Sequence, residues 1–256
     1  MKSLIAFMKK EVMEQVRSGK LMFLGILFIC FGIMNPAIAK LTPWLLEMFA
    51  ETLEGSGMTV TEVTITALDS WLQFYKNIPM ALIVFVLFQS SIFTKEYSSG
   101  TLLLSLTKGL ERFQVVLSKT AVLVSLWTVG YWICYDITYL YNAYFWDNGI
   151  AKNLGFSAVC WWLFGMWVIS LMVFFSTIVT ANSGVLFGSG GIVLVSYLVG
   201  LIPKIKKYLP TFLADGNSLI YGLEETNAYI VSIMITAVMT LSCLVAGIFL
   251  FNKKQL

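Results

Sequence analysis

A single acidic residue, Asp136, falls within a stretch of sequence that is apolar enough to cross a membrane. A carboxylate in a membrane-spanning segment is by default functional, as a contact for an ion or a substrate. The alternative is that the segment ends early and that Asp136 lies in the headgroup zone beside Tyr135 and Tyr139. The charge-free run from Thr120 to Tyr135 favours this alternative, and both interpretations remain open.

Other residues that could do chemistry are few. There is no histidine, which removes Ser-His and Cys-His catalysis and histidine-based metal sites. The pair Glu224-Glu225 lacks the downstream arginine of intramembrane proteases, since Tyr229 stands there, and is better explained as acids at a helix start. Four cysteines lie far apart in apolar runs, as buried small residues do. We therefore expect no catalytic site and no metal in this chain.

The chain also lacks a phosphate-binding loop. No Gly-x-x-x-x-Gly-Lys-Ser/Thr pattern occurs, and Gly19-Lys20 is followed by Leu21. Energy for any active process must come from a partner chain or from an ion gradient.

Composition indicates a membrane protein. Hydrophobic residues make up 58% of the 256 residues and charged residues 12%, against about 25% charged residues in soluble domains. A soluble fold of this size could not bury so much apolar surface. The net charge of +3 is too small to indicate a nucleic-acid partner.

The apolar runs predict an all-α integral membrane protein with six transmembrane helices. Residues 1–20 form an amphipathic cytoplasmic helix, with apolar residues every four positions from Leu4 to Val16. The six-helix domain covers residues 21–256. Its predicted spans are residues 21–39, 77–94, 113–140, 157–180, 184–202 and 228–251. Lys119, near the start of the third span, is expected to snorkel to the headgroups.

The distribution of basic residues predicts the orientation. With six spans, the end that holds both termini carries eleven basic residues and the other end six. The positive-inside rule therefore puts both termini in the cytoplasm of a cell membrane. Lys204, Lys206 and Lys207 run against the rule, and residues 40–76 form the longest external loop.

The cytoplasmic loop between the second and third spans contains a short leucine-rich helix. Gly100 is a cap-type residue, residues 101–107 make one or two apolar turns, and Gly109 is typical of a helix end. Such a helix either packs in the headgroups or under the bundle, or docks a cytoplasmic partner.

The same loop carries a motif of a glutamate, a Gly-Thr-Leu triplet and later basic residues: Glu96, Gly100, Thr101, Leu102, Gly109, Arg112 and Lys119. In this position it resembles the first cytoplasmic loop of type-2 ATP-binding-cassette (ABC) transporter permeases. The topology resembles that family over the whole chain, and the motif over residues 95–119. One departure is Lys108-Gly109-Leu110, where many relatives have a proline before the basic residue.

The resemblance implies the transmembrane subunit of an ABC transporter, an exporter, whose ATP and Mg²⁺ are bound by separate cytoplasmic ATPase subunits. It also implies a second permease, either another copy or a homologous chain. The residues it assigns to coupling are Glu96, Gly100, Thr101, Leu103, Leu104 and Arg112. Glu96 would pair with a basic residue of the partner or of the N-terminal helix, and Gly100 would allow a tight helix entry. Arg112 is either a coupling residue or a positive-inside anchor.

Two alternatives stay open. Gly184-x-x-x-Gly188 gives the fifth span a smooth face, which suits a dimer seam, a substrate path or ordinary packing within one subunit. A self-contained secondary transporter or channel is the second functional hypothesis. It predicts several intramembrane charges and often an internal repeat, and the sequence has one ambiguous aspartate and no repeat.

Overall fold

The computed structural model describes residues 2–48, 64–107 and 109–254, except for the side chains of residues 2, 3, 46, 104 and 105. Within these ranges the chain is helical and contains no β-strand. The α-helices are α1 (Lys2–Arg17), α2 (Lys20–Met48), α3 (Ala67–Gln89), α4 (Ser91–Ser99), α5 (Thr101–Thr107), α6 (Arg112–Phe145), α7 (Leu154–Ile178), α8 (Asn182–Val199), α9 (Pro203–Lys206), α10 (Gly216–Ile220) and α11 (Ile230–Lys253). Short 3₁₀ turns cover Asn148–Ile150, Pro210–Ala214 and Thr226–Tyr229.

Six helices in the described ranges are long and apolar enough to cross a membrane, which confirms the predicted fold class. They are Lys20–Leu45, Ala67–Ser99, Arg112–Phe145, Leu154–Ile178, Asn182–Val199 and Thr226–Lys253. The chain is therefore a multi-pass transmembrane protein.

Two helices extend beyond the spans predicted within them. The helix that contains the first predicted span continues to Met48, and the helix that contains the second begins at Ala67. The backbone N–H of Thr66 donates to the Asp69 carboxylate at 2.8 Å, which satisfies one unpaired donor at the start of α3. Both ends of the loop predicted for residues 40–76 are thus helical, and residues 49–63 lie outside the described part of the structure.

Aromatic side chains of α6 form the centre of the bundle. Trp127 and Tyr131 are fully buried, and Trp127 packs edge-on against Phe28 of α2 and Phe85 of α3. A Cβ at Gly165 of α7 would lie 2.3 Å from the Trp127 ring, so only glycine lets α7 approach this closely. The aromatic cluster thus fixes the spacing of α2, α3, α6 and α7.

Both termini lie at the same end of the bundle, here called the terminal end: α1, α4, α5 and residues 251–254. The Arg112 guanidinium donates to the carbonyls of Phe251 and Asn252, both at 3.2 Å. Lys254 lies 4.2 Å from the Tyr97 ring in α4, and α1 contacts α4 through the ion pairs described below. This arrangement agrees with an even number of spans.

The opposite end is covered by the short helices between α8 and α11. Lys206 pairs with Asp215 at 2.9 Å, and Lys207 with Glu224 at 3.5 Å. Burial alone would raise the pKa of Asp215, but the hydrogen bonds from Lys206 and Ser218 outweigh it and lower the pKa. Two of the three lysines that run against the positive-inside rule are thus neutralised by local acids.

Candidate functional site

The loop predicted to dock a partner consists of two helices joined by a glycine. Gly100 ends α4 with φ of +67°, a left-handed conformation that strains any residue with a Cβ. Thr101 is the first residue of α5, and its hydroxyl lies 2.8 Å from the Ser99 hydroxyl. Gly109, with φ of +87°, follows α5 and turns the chain towards α6. The two glycines therefore set the angle at which α5 leaves the bundle.

One face of α5 packs on the protein and another is open. Leu102 is 2% exposed, whereas Leu103 is 52% exposed at the terminal end. The side chain of Leu104 lies outside the described part of the structure. Leu103 borders a shallow pocket together with Leu106, Leu110 and Arg112. A leucine side chain is therefore available to a partner on the surface next to the loop.

A buried ion network holds the start of this loop. The Lys119 ammonium of α6 lies 2.8 Å from the Glu11 carboxylate of α1 and 3.0 Å from the Glu96 carboxylate of α4. It also donates to the carbonyl of Ile92 at 3.0 Å. Glu11, Glu96 and Lys119 are each less than 5% exposed. The expectation that Lys119 snorkels to the headgroups was wrong, because it is buried among carboxylates from two other helices.

Lys10 closes the network on its exposed side. Its ammonium contacts Glu96 at short range, Glu11 at 3.2 Å and Glu14 at 3.8 Å. Partial burial would lower the pKa of Lys10, but the hydrogen bond to Glu96 and the charge of Glu11 outweigh it and raise the pKa. Lys10 is therefore charged at neutral pH, and Glu96 pairs with a basic residue of the N-terminal helix.

The amphipathic helix α1 uses its polar side to pack on the bundle. Phe7, Glu11 and Gln15 are buried, whereas Val12 and Val16 are exposed. The amides of Gln15 and Gln89 form a reciprocal pair at 3.1 Å in both directions. The apolar side of α1 thus faces outward, where lipid can cover it.

The remaining predicted site residues lie apart from this network. Asp136 is exposed on the outer surface of α6. Added Cβ atoms at Gly184 and Gly188 would lie 2.5 Å from Val179 and 2.4 Å from Phe175 of the same chain. Gly188 therefore serves the contact of α8 with α7, and Gly184 the contact with the turn between them. The loop and the glycine face form separate regions.

Sequence reasoning missed Glu11 and the role of Lys119. The sequence contained an indication of this pairing. Glu11 is an acidic residue in a basic amphipathic helix, and Lys119 is a lone charge inside an apolar segment. Their separation of 108 residues prevents any local pattern from joining them.

Comparison with known proteins agrees with a transmembrane architecture but does not assign the chain to a family. No family model matches the chain. An uncharacterized transmembrane protein of Bacillus subtilis, YxlG, is 24% identical over 223 residues, which cover 82% of this chain and 81% of the relative. The chain is thus similar, over most of its length, to a protein described as transmembrane.

Proposed function

We propose that this chain is the permease subunit of an ABC transporter, an exporter that couples ATP hydrolysis in a separate cytoplasmic ATPase to substrate movement. The observation that carries the proposal is α5. It is a short helix between the second and third spans, set off by two left-handed glycines, with Leu103 exposed. A groove in an ATPase could hold such a helix by its apolar side.

The ion network supplies a route for the coupling. When the ATPase subunits close on ATP and Mg²⁺, they would displace α5 and, through Gly100, α4. Glu96 ties α4 to α1 and to α6, so a displacement of α4 also moves those helices. Arg112 joins the end of the same loop to the carbonyls that end α11. Motion of one short helix would thus reach α1 and the second, third and sixth spans.

The test is purification of the chain from its native cell in a mild detergent, with mass spectrometry of the proteins that accompany it. We expect a stoichiometric ATPase, together with a second permease copy or a homologue. Leu103→Asp should abolish ATPase recovery while the spans stay inserted. The matched control is Leu223→Asp, since Leu223 is 78% exposed at the opposite end.

Two outcomes contradict the proposal in different ways. If the ATPase persists with Leu103→Asp, then α5 is not the docking element. If no ATPase appears even under crosslinking, a secondary transporter or channel replaces the ABC hypothesis. Asp136 would then be the first residue to replace.

A further inference from the structure

A basic cleft lies at the terminal end, beside the ion network. It is lined by Lys10, Met13, Glu14, Arg17, Ser18 and Lys95. Its one acid, Glu14, is already paired with Lys95 at 3.3 Å and lies 3.8 Å from Lys10. Arg17 is exposed and forms no ion pair with any described residue. The cleft therefore holds more positive than negative charge, and its guanidinium is free to bind an anion.

The surface that continues from the cleft along α4 and α3 is apolar. Ser90 has helical dihedral angles, so Lys95, Ser91 and Phe88 follow one helix face at spacings of four and three residues. Phe88 stacks on Phe23 of α2, with ring centroids 4.3 Å apart, and both rings are partly exposed. At about 1.5 Å per residue, the stacked rings lie roughly 10 Å from Lys95 along the helix.

Two observations set the height of the cleft in the membrane. The exposed side chains of Val12 and Val16 on α1 require lipid cover, which puts α1 at the boundary of headgroups and acyl chains. The Lys20 ammonium donates to the Phe88 carbonyl at 2.7 Å and to the Ser91 hydroxyl at 3.1 Å, between the cleft and the rings. The cleft is thus at the level of lipid phosphates, and the rings are at the level of acyl chains.

We propose that the cleft binds the phosphate of an anionic phospholipid, with the acyl chains along Phe23 and Phe88. The free guanidinium of Arg17 and the exposed ammonium of Lys95 suit a phosphodiester, which accepts charge-assisted hydrogen bonds. A zwitterionic headgroup brings its own cation towards the same basic side chains and is disfavoured. This binding requires no ATPase partner, so its test is independent of the test of the proposed transport function.

The test is native mass spectrometry of the full chain in an uncharged detergent, titrated with phosphatidylglycerol or phosphatidylcholine. Each basic residue near a lipid surface contributes about a fivefold gain in affinity for anionic lipid. Arg17→Gln with Lys95→Gln should therefore weaken phosphatidylglycerol binding roughly 25-fold. Arg17→Lys keeps the charge and should retain most of the affinity. Lys9→Gln removes a charge from the same helix outside the cleft and should have little effect.

Four outcomes overturn the proposal. The first is equal binding of the two lipids by the unaltered chain, and the second is binding of phosphatidylglycerol by the double variant with the affinity of the parent. Equal weakening by Lys9→Gln would show a diffuse charge effect instead of a site. Displacement of the lipid by inorganic phosphate at equal concentration would show an anion site that does not need a lipid.

Discussion

Replacing Lys119 by methionine removes the ammonium that Glu11 and Glu96 share, and we expect this to loosen α1. The Lys119 ammonium donates to the Glu11 carboxylate and to the Ile92 carbonyl, and it forms an ion pair with Glu96 at 3.0 Å. Removing one partner of a buried ion pair costs about 3–5 kcal/mol, because an uncompensated charge is left behind. Lys10 still contacts both carboxylates, so we take the lower end, about 3 kcal/mol.

Limited trypsin cleavage within α1 measures this loss, since a helix is cut only when it opens. A decrease of about 3 kcal/mol in the opening free energy raises the cleavage rate after Lys9, in the middle of α1, by roughly 100-fold. Cleavage after Lys204, at the opposite end, should not change and serves as the internal control. Lys10→Gln should raise cleavage at most about fivefold, because partly exposed ion pairs contribute at most about 1 kcal/mol.

A Lys119→Met protein that is cut within about fivefold of the parent rate would refute the reasoning, because that is the range of a surface pair. The triple variant Lys119→Met, Glu11→Gln, Glu96→Gln removes the stranded charges and should recover most of the protection. If the triple variant stays as labile as the single one, the loss comes from packing of the lysine stem and not from charge.

Two further predictions concern packing and topology. Gly165→Ala puts a methyl group into the Trp127 ring and should destabilise the protein by about 1–3 kcal/mol, seen as a lower thermal unfolding temperature in detergent. Gly191→Ala meets no atom within 4 Å and should not lower it. A reporter inserted after Gly55 should be active only outside the cell, and a cytoplasmic signal would contradict the orientation.

The sequence predicted the number of spanning helices because each one contains an apolar run of about the length that crosses a bilayer core. It did not predict where helices end outside the lipid. Hydropathy measures the fit to hydrocarbon, whereas α2 continues through Lys40 and Pro43 to Met48, and α3 starts at Ala67 before its apolar run. The length of a helix and the length of its membrane span are different quantities, and the apolar pattern predicts only the length of the span.

The loop could be predicted in part. Left-handed conformations at Gly100 and Gly109 follow from residue type, and the helix between them follows from its leucines. The pairing of Glu96 with the N-terminal helix was among the expectations, but Glu11 and the burial of Lys119 were not. A lysine near a membrane boundary either snorkels to the headgroups or pairs with a buried acid. For Lys119 the outcome depends on Glu11, which lies 108 residues earlier in the chain.

That separation has a consequence for the order of synthesis. α1 leaves the ribosome before α6, and Glu11 acquires Lys119 as its partner only when that residue has been made, 108 residues later. At about 5–20 residues per second, the interval is roughly 5–20 s. During that time α1 must wait in the headgroup layer with its carboxylate hydrated. α1 thus reaches its final place only after α2 and α3, although both are made after it.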